Sequence, residues 1–425
     1  MKKTILLLLT LMSIGVMKAQ TTYLHCGQLF DATSKELKSE MTIVVEGNTI
    51  TQIISGYASV PEDAQGVNLK DKTVMPGLID MHVHIEGESS PKRYEEQFRL
   101  NDADVALRAT TYAKKTLMAG FTTVRDMGGS GVNVSLRNAI NRGYIDGPRI
   151  YTAEKAIGTT GGHADPSNGV RKDLMGDPGP KEGVINSPED AKKAVRQRYK
   201  NGADCIKITA TGGVLSVAKD GMGPQFMKEE LAAIIATAKD YGLTTAAHAH
   251  GAEGMKRAVA AGITTIEHGT LISDEVIVMM AERGTYLVPT ISAGKTVVEL
   301  AKKPGYFPPI IVPKALEVGA KSQDACARAY KGGVKIAFGT DAAVSPHGDN
   351  AKEFIYMVEA GMPPIETILS ATQVAAEALN QLDVIGTIEV GKMADIIATD
   401  DNPGENIETM LDVKFIMKNG KIYKD

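Results

Sequence analysis

Ala119-Gly-Phe-Thr-Thr-Val124, Tyr241-Gly-Leu-Thr-Thr-Ala246 and Ala261-Gly-Ile-Thr-Thr-Ile266 are three versions of one phrase. In each, a glycine stops a helix and a β-branched strand begins at once, which is the join expected in repeated helix-then-strand units. Asn201-Gly-Ala-Asp-Cys-Ile206 and Gly332-Gly-Val-Lys-Ile-Ala337 repeat it more loosely. Amphipathic stretches run between the phrases; in 228–241, for example, Leu231, Ile234, Ile235 and Ala238 fall at helical spacing. Strands that alternate with such helices predict a parallel α/β architecture.

Eight strand positions can be placed, at 74–84, 121–127, 149–157, 205–210, 243–248, 264–268, 286–290 and 334–340. Eight is the number of the (β/α)8 TIM barrel. Alternation does not by itself show closure, so a doubly wound open sheet stands as the alternative. Outside the barrel span of 73–384, the flanks 20–72 and 385–425 are short alternating apolar segments broken at Gly47-Asn48, Asn402-Pro-Gly404 and Asn419-Gly420. They read as antiparallel strands and hairpins that pair into one small β-sandwich domain formed by both terminal segments.

Composition narrows the function classes. The chain has 425 residues, a hydrophobic fraction of 43% and a formal charge of −4, so nothing resembles the basic footprint of a nucleic-acid binder. A small-molecule substrate is the default partner, and the barrel surface permits a homo-oligomer without requiring one. Cys26, Cys205 and Cys326 are too widely spaced for a disulfide framework or a CxxC zinc site. Residues 1–19 run from Lys2-Lys3 through an apolar stretch, Ile5 to Val16, to Ala19. That is the order of a secretory signal peptide, predicting cleavage near Ala19 and a periplasmic or secreted product with no membrane span. The alternative, an uncleaved anchor, has an apolar run shorter than the roughly 20 residues a spanning helix needs.

The chemistry-bearing residues stand at strand ends. His82 and His84, in Met75-Pro-Gly-Leu-Ile-Asp-Met-His-Val-His84, are two apart and share one face of a strand, so two imidazoles can converge on a cation. Lys207 lies between Ile206 and Ile208 inside an interior strand, where an unpaired ammonium is costly. Burial lowers a lysine pKa, and the neutral amine can take up carbon dioxide to become a two-oxygen carbamate. His248 and His268 each end a strand just before a small-residue loop, and Asp341 ends the eighth, where a carboxylate can bind metal or move a proton. Barrel active sites form at that end of the strands. Taken singly, each residue has a bland alternative: a hydrogen-bonded core histidine, a paired lysine, a helix N-cap aspartate. Six such roles at one barrel mouth are far less economical than one metal centre.

On these residues the sequence resembles the amidohydrolase superfamily in its binuclear form. The similarity extends to the flanking Gly386-Thr-Ile-Glu-Val-Gly-Lys-Met-Ala-Asp395 segment. Within the superfamily, Lys207-Ile-Thr-Ala-Thr-Gly-Gly-Val-Leu-Ser216, Ile266-Glu-His-Gly269 and Leu287-Val-Pro-Thr290 are similar to the imidazolonepropionase-related group that includes Xaa-Pro dipeptidases and carboxypeptidase-like dipeptidases. The resemblance implies two divalent metal ions, with zinc as the first expectation. His82, His84 and Asp341 would hold one and His248 and His268 the other, with carboxylated Lys207 bridging and Asp341 shuttling the proton. Position along the chain adds candidate substrate contacts: His163, after the third strand, reads either as a group that steadies the carbonyl oxygen or as a surface-loop histidine; His250, two after His248, reads as facing the cavity; Gly212 and Gly213 read either as offering backbone N–H groups to a substrate carboxylate or as part of a mobile, non-binding loop. His250 stands where proline-releasing relatives carry tyrosine, which argues for a wider product range than proline.

The expected reaction is hydrolysis of an amide bond, most simply that of a dipeptide. A cyclic-amide hydrolase or a deaminase with one metal is the rival within the superfamily. Mononuclear members lack the bridging lysine and use a glutamate soon after the fifth-strand histidine, whereas Lys207 is present and 249–251 hold no acid. A non-catalytic scaffold would show a broken ligand set, and this set is complete.

Overall fold

The computed structural model describes residues 20–217 and 221–425. The predicted signal segment 1–19 lies outside them. Two arcs of parallel strands make up most of a barrel. Leu78–Val83, Phe121–Asp126 and Arg149–Thr152 form the first. Cys205–Thr209, Thr244–Gly251, Thr265–Leu271 and Tyr286–Val288 form the second.

Two seams close the barrel. At one, the Ile157 N–H donates to Lys207 O at 2.8 Å and the Thr209 N–H returns to Ile157 O at 3.0 Å. At the other, residues 334–342 lie between the seventh strand and the first. There the Ala337 N–H donates to Leu287 O at 2.9 Å, the Met81 N–H to Phe338 O at 2.9 Å, and the Asp341 N–H to His82 O at 2.7 Å. The eighth segment is thus a run of bridges instead of a regular strand, and closure excludes the open-sheet alternative.

Two strand expectations are refined. The stretch read as one strand from 74 to 84 is two strands: Gln65–Pro76 pairs with Ile396–Thr399 of the terminal sheet, and the barrel strand starts at Leu78. The third strand ends at Thr152 and rejoins the barrel only at Ile157, because Glu154 takes a left-handed turn with φ 63°.

Helices follow the expected chemistry. Ser187 caps Pro188–Asn201, accepting from the Asp190 N–H at 3.1 Å. Ala252–Ala261 ends on Gly262 at φ 97°, the left-handed stop implied by the repeated phrase. Between helices and barrel lie fully buried apolar side chains such as Ile206, Ile208, Ile234 and Ile266, each worth about 1.5–3 kcal/mol of burial.

Both chain ends build one seven-stranded sheet, in the order Lys421–Lys424, Phe415–Lys418, Ile396–Thr399, Gln65–Pro76, Thr21–Leu29, Lys38–Glu46, Thr49–Ser55. The sheet curls so that Leu24, Ile43, Leu69, Ile396 and Phe415 share one apolar core, and its two layers are halves of a single sheet. The Ile50 N–H reaches Lys392 O at 2.9 Å across the closure. One pairing departs from the antiparallel expectation: Thr21–Leu29 runs parallel to Gln65–Pro76, because the chain crosses over after the 38–55 hairpin to return beside its first strand. Cys26, Cys205 and Cys326 are free and buried. No helix of the described residues is long and apolar enough to cross a membrane.

Candidate metal centre and active site

His82, His84, Lys207, His248, His268 and Asp341 all reach one cavity of about 640 Å³ at the carboxyl ends of the barrel strands. His82 and His84 come from the first strand and the residue beyond it, and the Nε2 of each stands 3.6 Å from Asp341 Oδ1. Ligand atoms of His82, His268 and Asp341 lie within 4.8 Å of one another, a grouping that suits a cation. His248 sits one step away, its ring centroid 4.6 Å from that of His268. Lys207 projects from the fourth strand, buried, with no hydrogen bond among the described residues. The sequence-predicted cluster is therefore brought together around one floor.

Hydrogen-bond partners assign the imidazole tautomers. His84 Nδ1 lies 2.6 Å from Gly128 O, an obligate acceptor, so its Nδ1 carries the proton and Nε2 offers a lone pair. His82 Nδ1 lies 2.7 Å from Glu267 Oε2, with the same consequence. His248 Nε2 donates to Gly212 O at 3.1 Å, leaving Nδ1 as its lone pair. His268 Nδ1 is 2.7 Å from Thr290 Oγ1. Burial holds His82, His248 and His268 far below the usual histidine range, and the nearby positive charge of Lys207 adds to it. His84 is lowered to about 3 by the same two causes in the same order. All four are held neutral at physiological pH, the form that can offer a lone pair to a metal.

Burial also pushes Asp341 up, against the opposing pull of Lys207, and pushes Lys207 down to about 8, against Glu267 and Asp341. Asp341 Oδ1 is buried without a hydrogen-bond partner. Three residues at the mouth hold left-handed backbone that disfavours non-glycine side chains: His268 at φ 70°, Thr290 at φ 48° and Asp341 at φ 56°. Such local strain concentrates at functional sites.

Beneath the cluster lies a buried charged layer that the sequence pattern does not single out. The Arg125 guanidinium, fully buried, donates to Met81 O at 2.7 Å, Thr265 Oγ1 at 3.0 Å and Glu267 Oε1 at 2.8 Å, so it holds the acid that orients His82. Asp80 accepts from the His82 N–H at 3.0 Å, the Thr340 N–H at 3.1 Å, the Thr340 hydroxyl at 2.6 Å and Asn350 Nδ2 at 2.7 Å, stapling the first strand to the eighth segment. The available signal was charge inside apolar strands, the same signal that singled out Lys207.

The other predicted contact residues are also located. His163 follows the third strand and stacks on His248 with centroids 4.3 Å apart; its Nδ1 is buried without a partner, and burial lowers its pKa to about 3. A Cβ on Gly213 would lie 2.2 Å from His163 Cε1, so glycine there lets the ring approach the backbone. The Gly212 N–H donates to Gly223 O at 3.2 Å, and the cavity wall beside this loop is made by Val214 and Leu215. His250 is edge-on to His248 at 4.7 Å, with Nδ1 3.0 Å from Thr270 Oγ1.

Comparison with known proteins agrees with this geometry. A crystal structure of a Xaa-Pro dipeptidase with methionine bound in its active site is 50% identical, with a TM-score of 0.93 over 96% of this chain and 100% of the other. A prolidase crystallised with N-methylphosphonate-L-proline is 32% identical, with a TM-score of 0.87 over 95% of this chain and 100% of the other. The ochratoxinase of Aspergillus niger is 30% identical over 96% of this chain and 87% of its own length. Residues 73–423 match the amidohydrolase family. Because that match covers the closed barrel and the carboxyl-terminal strands alike, the chain belongs to the amidohydrolase family and is a hydrolase of carbon–nitrogen bonds.

Proposed function

We propose that the protein is an exported, binuclear metal-dependent dipeptidase with zinc as its metal. The observation that carries this reading is the convergence of four neutral imidazoles, Lys207 and Asp341 on one cavity floor. The donor set fits divalent cations: lone pairs face inward, and Asp341 Oδ1 is buried with no other partner. In this reading His82, His84 and Asp341 hold one ion and His248 and His268 the other, with Lys207 bridging as its carbamate. Two bound ions would supply Lewis acidity toward the scissile carbonyl and make a water molecule acidic enough to attack near neutral pH.

The chain's own groups do the rest. Asp341, whose Oδ1 is buried at the floor with no hydrogen-bond partner, takes a proton from the attacking water and returns it to the leaving amine. His163, with an unpartnered Nδ1 over the floor, is placed to steady the developing oxyanion. Val214, Leu215, Val297, Val318 and Val344 make one apolar wall of the cavity, suited to an aliphatic or thioether side chain of the substrate. The methionine bound in the 50% identical dipeptidase is such an amino acid.

Metal analysis combined with a mixed dipeptide library, assayed with added Zn²⁺ or Mn²⁺, tests the reading. Two ions per chain and turnover of dipeptides are expected. One tightly held ion with full activity in Lys207→Ala would defeat the binuclear arrangement, and turnover of cyclic amides alone would replace the dipeptidase assignment.

A further inference from the structure

Four cations face or flank the cavity, and two of them are hydrogen-bonded. Lys207 belongs to the floor. Arg108 donates to Glu96 Oε2 at 2.7 Å. Lys314 donates to Gly213 O at 3.2 Å and Ser216 O at 2.8 Å. Arg93, which also lines the cavity, forms no ion pair and no side-chain hydrogen bond among the described residues.

Three acids that line the same cavity are committed elsewhere. Glu86 accepts from the Ser130 and Asn133 N–H groups, each at 2.7 Å, and Glu88 from the His347 N–H at 2.9 Å. Glu96 is held by Arg108.

An exposed, unpaired arginine is usually just a solvated surface charge. Arg93 differs in two ways. Its turn is fastened over the mouth, with the Arg93 N–H donating to Ser90 O at 3.1 Å and the adjacent Tyr94 hydroxyl to Leu215 O at 3.2 Å, on the loop that carries the apolar wall. Arg93 also lines the same cavity as the floor residues His84, His163 and Asp341. A guanidinium with no partner among the described residues, carried on an anchored turn and lining the cavity that holds the proposed metal floor, is complementary to a planar carboxylate.

We propose that Arg93 anchors the free C-terminal carboxylate of the substrate, which would restrict hydrolysis to the last peptide bond of short peptides or N-acyl amino acids. The proposal rests on the dipeptidase reading for its substrate. In water the carboxylate would attract little, but between Arg93 and the apolar wall it is partly desolvated, and the pairing orients the scissile bond toward the floor. Peptide amides present no charge to Arg93 and are poor substrates.

The experiment uses zinc-reconstituted full-length mature protein, wild type and Arg93→Met and Arg93→Lys variants. Binding of L-methionine and L-methioninamide is measured by calorimetry, and hydrolysis of Leu-Met and Leu-Met amide by amine release. Arg93 is exposed, so the substitutions leave the core intact. Wild type should favour the acids, and Arg93→Met should lose about 100-fold in affinity for methionine and in kcat/KM for Leu-Met. The amides should be affected far less, and Arg93→Lys should keep part of the preference because a point charge replaces the planar fork. An acid-over-amide preference that survives in Arg93→Met, or that is absent in wild type, overturns the proposal. Failure of every dipeptide to turn over would count against the dipeptidase reading alone, since the methionine arm still decides whether Arg93 holds a carboxylate.

Discussion

Glu267 Oε2 lies 2.7 Å from His82 Nδ1, and both side chains are buried. The contact makes His82 present Nε2 to the cavity, and Arg125 fixes the acid from the other side at 2.8 Å. Partners of this kind typically change metal affinity by about ten- to hundredfold when removed. Glu267→Gln should therefore release metal to a chelator at correspondingly lower concentration, while keeping the fold seen by circular dichroism. Equal chelator resistance in variant and wild type would remove Glu267 from the orienting role.

Lys207→Ala deletes the proposed bridge and its negative charge. Metal content should drop from two ions to one or fewer, with dipeptide hydrolysis reduced by at least about a thousandfold. Added acetate or propionate can occupy the vacated space and should restore part of both. Near-normal activity without any added acid would overturn the bridging role.

The amine of Lys207 is lowered by burial to about 8. Only the neutral amine captures carbon dioxide, so its reactive fraction is near its maximum above that pH and falls about tenfold for each unit below it. Reactivation of metal-stripped enzyme with zinc, at one fixed concentration of dissolved carbon dioxide, should accordingly be much faster at pH 8.5 than at pH 6.5. A rate independent of pH across that window would count against carbamate formation.

Asp80 satisfies four donors inside the barrel. Asp80→Ala leaves them unpaired and unties Thr340, the neighbour of Asp341, at a cost on the order of 3–5 kcal/mol. Urea denaturation should show the loss as a lower midpoint at unchanged slope. A change within about 0.5 kcal/mol would mean that the staple is dispensable.

If the chain is exported as proposed, material recovered outside the cytoplasm should begin at Gln20 or Thr21. Intact-mass spectrometry reads this directly, and retention of 1–19 on exported protein would contradict it.

Much of the site was legible in one dimension because its residues obey a positional rule. His82, His248, His268 and Asp341 each lie at or beyond the middle of a barrel strand or of the eighth segment, with the strands of His248 and His268 running three residues further than expected, and the repeated glycine-then-strand phrase marks where strands begin. Lys207 was legible for another reason: a charge between two isoleucines demands a partner. The same logic applied to Arg125, Asp80 and Glu267, but each has a plausible pairing with a neighbour in sequence, and nothing local reveals the real one. Arg93 was hidden more thoroughly, since it lies in a polar stretch where arginine is unremarkable until the cavity beside it is seen.

The sequence by itself determined the alternation of helix and strand, the contribution of both chain ends to a β unit, and the residues that stand at strand ends. These are properties of periodicity and of single positions, and they need no contact between distant residues. Only the tertiary structure decided closure of the barrel through the bridges at Ile157 and Ile336, and the split at Leu78 between terminal sheet and barrel. It alone also decided which nitrogen each histidine turns inward. The tautomer of His82 depends on an acid 185 positions away in the chain, and hydrogen bonding is short-ranged, so that choice exists only after folding has brought Glu267 alongside.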